Sequence, residues 1–129
     1  MLIMNFIVRF FKKGEIKRLL TEANKFFEEK DYEKALSLFE KVLSYDDENL
    51  CAKYGKGKCL FYLNNYKQAK LLLTEVEKNP NNTFFECYNY LYKIEKAEGT
   101  LENAIKYLTK YIDKGKDKVN ALKLRAELN

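Results

Sequence analysis

The sequence predicts an all-α domain: a solenoid-like row of antiparallel helix pairs. Three observations carry this. A segment repeats after 34 residues, since Asp31-Tyr32-Glu33-Lys34-Ala35 returns as Asn65-Tyr66-Lys67-Gln68-Ala69, and Ala23, Phe26, Phe39 and Val42 return as Gly57, Leu60, Leu73 and Val76. A fixed period with the same residue classes at the same offsets marks a stack of identical units. Apolar residues recur at spacings of three and four, the period of a helix with one buried face. One proline and five glycines in 129 residues leave few interruptions, which favours helices over many short strands.

The elements follow in order. Residues 1–13 are apolar from Met1 to Phe11 apart from Asn5 and Arg9. Wound as a helix, they place Asn5, Arg9, Lys12 and Lys13 on one face and Ile3, Phe6, Ile7 and Phe10 on another. Gly14 breaks the pattern. Such a helix reaches about 16 Å, too short for a hydrocarbon core of about 30 Å. Its basic residues follow the apolar run and no small-residue cleavage site is seen, which argues against a secretory signal. Three roles stay open: packing on the repeats or on a second copy of the chain, lying in a membrane interface, or docking into a partner.

Residues 15–29 read as a helix with Leu19, Leu20, Ala23, Phe26 and Phe27 on one side. Lys30-Asp31 is a turn, with Asp31 placed to cap the next helix. That helix, 32–45, carries Ala35, Leu36, Leu38, Phe39, Val42 and Leu43, and the polar run Asp46-Asp47-Glu48-Asn49 ends it. The second unit repeats the plan. Its first helix carries Ala52, Tyr54, Gly57, Cys59, Leu60 and Phe61; Asn64-Asn65 makes the turn; Ala69, Leu72, Leu73 and Val76 line its second helix. Asn65 with Gln68, and more clearly Thr83 with Glu86, have the spacing of a capping box. Pro80 closes the unit, because proline cannot continue a helix.

In a third unit Leu91 and Ile94 keep the register, while Ala104 and Leu108 fall one place late. The extra residue belongs in the Glu98-Gly99-Thr100 turn. Asp117 is placed to cap a last helix, 118–128, which would close the stack with a polar face. The expected organisation is a segment 1–14 and a repeat domain 15–129, with units at about 16–49, 50–83 and 84–117 before the capping helix 118–128.

Units one and two resemble the tetratricopeptide repeat. The residues that carry the resemblance are Ala23, Phe26, Tyr32, Ala35 and Phe39, then Gly57, Leu60, Tyr66, Ala69 and Leu73. Small residues belong where the two helices of a unit cross closely. Unit three departs: Leu91 holds the small position and Leu101 replaces the tyrosine. The resemblance implies a helix-pair solenoid whose first (A) helices form a concave face that holds extended peptides or helices. The matching partner-binding stripe is Lys17, Leu20, Asn24 and Phe27; then Cys51, Tyr54, Lys58 and Phe61; then Phe85, Tyr88, Tyr92 and Glu95. Aromatic rings at this density suit partner anchoring, and they suit packing between units equally well. One subfamily grips the carboxylate of chaperone tails. Of its five positions only Asn24 matches, with Leu20, Gly55, Phe85 and Asn89 at the others, so that activity is not expected.

The chemistry that is missing narrows the classes further. There is no histidine, which removes Ser–His and Cys–His nucleophile pairs and histidine-ligated metals. Cys51, Cys59 and Cys87 lack the Cys-x-x-Cys spacing of a zinc site and form no disulfide framework. They read as small apolar fillers in a reducing cytoplasm. No glycine-rich phosphate loop is present. The net charge of +5 is uneven along the chain, but its basic residues sit among glutamates at helical spacing, unlike the one-sided stripe of a nucleic-acid binder. The expectation is a non-catalytic scaffold for a protein or peptide partner, with no cofactor and no metal. The alternative is a peripheral membrane adaptor tethered by residues 1–13.

Overall fold

The computed structural model describes the backbone of residues 2–128 and the side chains of residues 12–117 and of Val119. Among them are six helices and no strand: α1 (Leu2–Glu28), α2 (Tyr32–Tyr45), α3 (Leu50–Tyr62), α4 (Tyr66–Lys78), α5 (Cys87–Glu98) and α6 (Leu101–Leu128). The all-α helix-pair class expected from the sequence is the observed one. The chain forms two compact units, Met1–Leu72 and Leu73–Asn129.

In the first unit α1 packs on α2, α2 packs on α3, and α1 touches α3. Its core is Leu19 and Ala23 from α1, Ala35, Phe39 and Val42 from α2, and Ala52 and Cys59 from α3. Ala23 and Ala35 are wholly buried, so the small positions lie where the helices cross, as expected. A further small position is Gly55. A Cβ there would overlap the Phe39 ring, so α3 reaches α2 through bare backbone.

The repeat is visible in its turns. Lys30 and Asn64, 34 residues apart, both have φ near +64° (63° and 64°). Lys30 N–H donates to Phe27 and Asp31 N–H to Phe26; Asn64 N–H donates to Phe61 and Asn65 N–H to Leu60. This paired bonding satisfies the last carbonyls of each A helix and reverses the chain. The following helix is capped in unit one as expected, with Asp31 accepting from Lys34 N–H at 3.3 Å. Asn49 caps α3, accepting from Ala52 N–H at 2.9 Å, and Asp46 holds the Asn49 side chain at 3.3 Å. The Asp46–Asn49 run is thus a capping loop.

In the second unit α5 packs on α6. Leu91, Ile94 and Ala104 are buried here, in line with the expected register. The entry to α5 differs from expectation. Thr83 and Glu86 form no capping box; α5 starts at Cys87 and Glu86 makes no side-chain cap bond. Asn79 and Asn82 instead accept from Asn81 and Phe84 N–H, each at 2.8 Å, and wind the loop before it. These short-range side-chain bonds hold the backbone out of the helix. The Gly99-Thr100 turn also departs from the first two. Glu95 is 2% exposed, and its carboxylate accepts from Thr100 N–H at 3.2 Å. It fills the space beside Gly99 that any Cβ would need.

α1 runs unbroken through Gly14, and α6 runs on through Asp117, where a separate last helix was expected to start. A glycine costs a helix only about 1 kcal/mol, which good helix formers on either side offset. Arg18 adds ion pairs to Glu15 at 2.7 Å and Glu22 at 3.3 Å just after Gly14. The faces assigned to residues 1–11, and the polar face expected of residues 118–128 apart from Val119, lie outside the described residues.

Candidate functional site

The A-helix stripe is built in the first unit by α1 and α3. Lys17 and Asn24 are exposed on α1, Leu20 is half-buried against the core, and Phe27 ends the row half-buried. From α3, Lys58 reaches back over two rings. Its Nζ lies 4.3 Å from the Phe27 centroid and 4.6 Å from that of Tyr54. Each such contact is worth about 0.5–2 kcal/mol, more as water is excluded. Burial lowers the Lys58 pKa from the usual lysine value, while the charges of Cys59 and Glu28 pull the other way. Among the described residues no carboxylate forms an ion pair with Lys58.

Phe27, Tyr54 and Lys58 are therefore brought together, although Tyr54 is buried at 8% exposure and serves as floor rather than as open surface. The Phe61 ring lies 5.2 Å from that of Tyr62 and 5.4 Å from that of Tyr66. Two rings that sequence reasoning left out of the site belong to this cluster. Tyr32 and Tyr62 stack at 4.6 Å and 7°, and both meet the Phe27 ring edge-on, at 5.4 and 5.8 Å. Tyr32 was visible as a repeat position. Nothing in the local sequence marks Tyr62.

In the second unit the predicted residues divide. Phe85 is in the loop before α5, not on a helix. It stacks on Tyr111 at 5.6 Å, and the Tyr111 hydroxyl donates to Glu86 at 3.0 Å. Tyr88 is buried at 9% exposure, and burial raises its pKa. Lys110 pairs with Glu77 at 2.8 Å and lies 5.7 Å from the Tyr88 ring. Phe85 and Tyr88 line a cavity of about 270 Å³ with Glu77, Asn82 and Lys114. Tyr92 is half-buried, with Lys96 at 5.9 Å from its ring. Glu95 leaves the stripe, because it is sealed into the Gly99 turn.

Cys59 and Cys87 are buried, as apolar fillers should be, and Cys51 is exposed. Desolvation pushes the Cys59 thiol up to about 12 and the Cys87 thiol up to about 11. Neither is a nucleophile near neutrality. Among the described residues no helix is long and apolar enough to cross a membrane.

Comparison with known proteins agrees with this architecture. Residues 26–83 match the profile of the tetratricopeptide repeat family. A stretch of 54 residues, 41% of the chain, is 46% identical to part of Superkiller protein 3 of Saccharomyces cerevisiae. The chain spans only 4% of the length of that curated relative. No solved structure matches it. Repeats of this family generally mediate protein–protein interaction and are typically non-catalytic scaffolds. The matched segment holds the repeated stretches 31–35 and 65–69 and both left-handed turns, so residues 26–83 carry tetratricopeptide repeats.

Proposed function

We propose that this protein holds a peptide or helix of a protein partner against its A helices, with Lys17, Leu20, Asn24, Phe27 and Lys58 as the contact set in the first unit. The observation that carries this reading is Lys58. Its ammonium rests on two rings and has no ion pair of its own among the described residues, so its donors remain for an acceptor on a partner. Phe27 beside it, and Leu20 two turns earlier on the same face of α1, supply apolar area. A hot spot of this form joins a desolvated charge to aromatic anchors. Half-buried Phe85 and Tyr92 would serve a separate stretch of the same partner, with buried Tyr88 as floor.

The test is photocrosslinking in cell extract. A benzoylphenylalanine at position 24 should capture a discrete set of proteins, and one at position 40, exposed on α2, should not. Lys58→Glu should lower capture at position 24 about tenfold, the scale of one lost hot-spot contact. Equal capture at both positions would remove the A-helix face as the binding surface.

The membrane-adaptor reading draws on one observation: α1 runs unbroken from Leu2, which presents residues 2–13 as helix. Under that reading anionic vesicles sediment with the full chain and not with residues 14–129.

A further inference from the structure

α6 is the longest helix of the chain at 28 residues, and among its described residues one flank is buried and another is exposed. Ala104 is buried, and half-buried Tyr107, Lys110 and Tyr111 lie on the same flank. A neighbouring face carries Leu101, Ile105, Ile112 and Val119, exposed at 76%, 55%, 45% and 51%, with half-buried Leu108 between them. Single exposed apolar residues need no explanation, but a continuous stripe does. The spacing here is regular: 101, 105, 108, 112, 115 and 119 alternate steps of four and three, and Leu122 and Ala126 continue the pattern in sequence. Steps of four and three describe a 3.5-residue period, that of a helix–helix seam. In heptad terms Ile105, Ile112 and Val119 hold position a, and Leu101, Leu108 and Leu122 hold position d. Four heptads, about 42 Å of helix, meet the length such a seam needs.

We propose that this stripe pairs antiparallel with the same stripe of a second copy of the chain. Two features single out a second copy, and that orientation, as the occupant. The first is size. With Ile105 opposite the partner's Leu122, Ile112 falls opposite the partner's Gly115, and the reverse pairing completes a twofold layer. Nothing lies within 4 Å of where a Gly115 Cβ would stand, so that position has room to receive the isoleucine. Large against small is how facing layers fill. A parallel pair would set glycine against glycine and leave a void there.

The second feature is charge. The positions flanking the stripe carry Glu102 at its N-terminal end and Lys116, Lys118, Lys123 and Arg125 towards its C-terminal end. Antiparallel pairing sets Glu102 beside the partner's Lys123. Parallel pairing sets Lys118 beside the partner's Lys123, two like charges. A twofold contact of this kind closes on itself and yields a dimer rather than a filament.

Sedimentation equilibrium of the purified full chain at micromolar concentration tests this. The expected mass is twice the chain's 15.3 kDa. Ile105→Lys with Ile112→Lys should return the mass to that of one chain while far-UV helicity is retained. Glu102→Lys alone should weaken dimerisation roughly tenfold across its two symmetric pairs, and adding Lys123→Glu should restore it. A wild-type chain of single mass overturns the proposal, leaving the stripe to some other helix. So does a dimer that survives the double lysine change, which would place self-association elsewhere, for instance in residues 1–13. Charge changes that add instead of compensating overturn the antiparallel register. The charge pair decides the matter even if the lysine variant unfolds.

Discussion

Cys59 and Cys87 show how far a single residue can be read from sequence. Their spacing excluded a zinc site and their helical positions suggested apolar filling, and both are fully buried. A reactivity prediction follows from this contrast. In the native chain only exposed Cys51 should react quickly with a thiol reagent at pH 8, and all three should react after unfolding. The same burial gives stability a pH dependence. A thiol whose folded pKa is raised contributes stability that is complete below its ordinary value of 9.0 and is lost as pH rises towards the folded value. Between pH 9 and 10 the unfolding free energy should therefore fall, by up to about 1.4 kcal/mol per pH unit for each thiol. Cys59→Ala should flatten that slope, measured by urea titration across the range. An unchanged slope would mean that Cys59 ionises freely in the fold. The residues that sequence misplaced are those whose partners are remote. Glu95 has the spacing of a surface position, yet it turns inward because the Gly99 turn offers it a backbone N–H. Tyr54 and Tyr88 have the right face and too little exposure to be surface anchors.

At the level of the element, existence and type were legible and boundaries less so. The three- and four-residue spacing identified α2 and α4 because each is a short amphipathic helix between strong turn signals; α3, buried on several sides, was placed by the 34-residue repeat. Gly14 misled because a lone glycine lowers helix propensity without ending a helix, and Asp117 misled because a capping residue type also sits inside helices. The loop before α5 misled in the other direction: Asn79 and Asn82 outcompeted the expected Thr83 cap through local bonds. The turns after α1 and α3 carry a prediction. Both use a left-handed residue, and in the first it is Lys30, whose Cβ is strained there by about 1 kcal/mol. Lys30→Gly should stabilise the chain by about 0.5–1 kcal/mol, seen as a higher midpoint in thermal melts. Asn64→Gly should gain less, since asparagine tolerates this conformation and Asn64 accepts from the Tyr66 hydroxyl at 3.4 Å. A lower midpoint for Lys30→Gly would show that its side chain makes a contact worth more than the strain.

At the scale of the molecule, the 34-residue period was enough to point to tetratricopeptide repeats and not enough to give a partner. Recurring small and apolar positions fix how one helix pair meets the next. The ligand depends on exposed side chains that the repeat leaves free to vary. Stability in such an array is a sum of unit terms and nearest-neighbour terms, so the contact between one helix pair and the next decides cooperativity. In the compact unit Met1–Leu72 that contact includes Gly55 of α3 against Phe39 of α2. Gly55→Ala sets two effects against each other. Alanine in a helix gains about 1 kcal/mol over glycine. The new methyl group, however, would occupy the place of the Phe39 ring, and that ring is 1% exposed in a core built from α1, α2 and α3. Overpacking of this kind costs about 1–3 kcal/mol, so the net change should be destabilising, with a shallower denaturant transition as the repeats uncouple. Phe39→Leu alone should also destabilise, by leaving a cavity. Combined with Gly55→Ala, the smaller side chain makes room for the methyl, and the double variant should lose clearly less than the two single losses together. Equilibrium unfolding of the four proteins measures the coupling. Strict additivity, or a more stable Gly55→Ala, would show that the glycine is not what lets the second helix pair close onto the first.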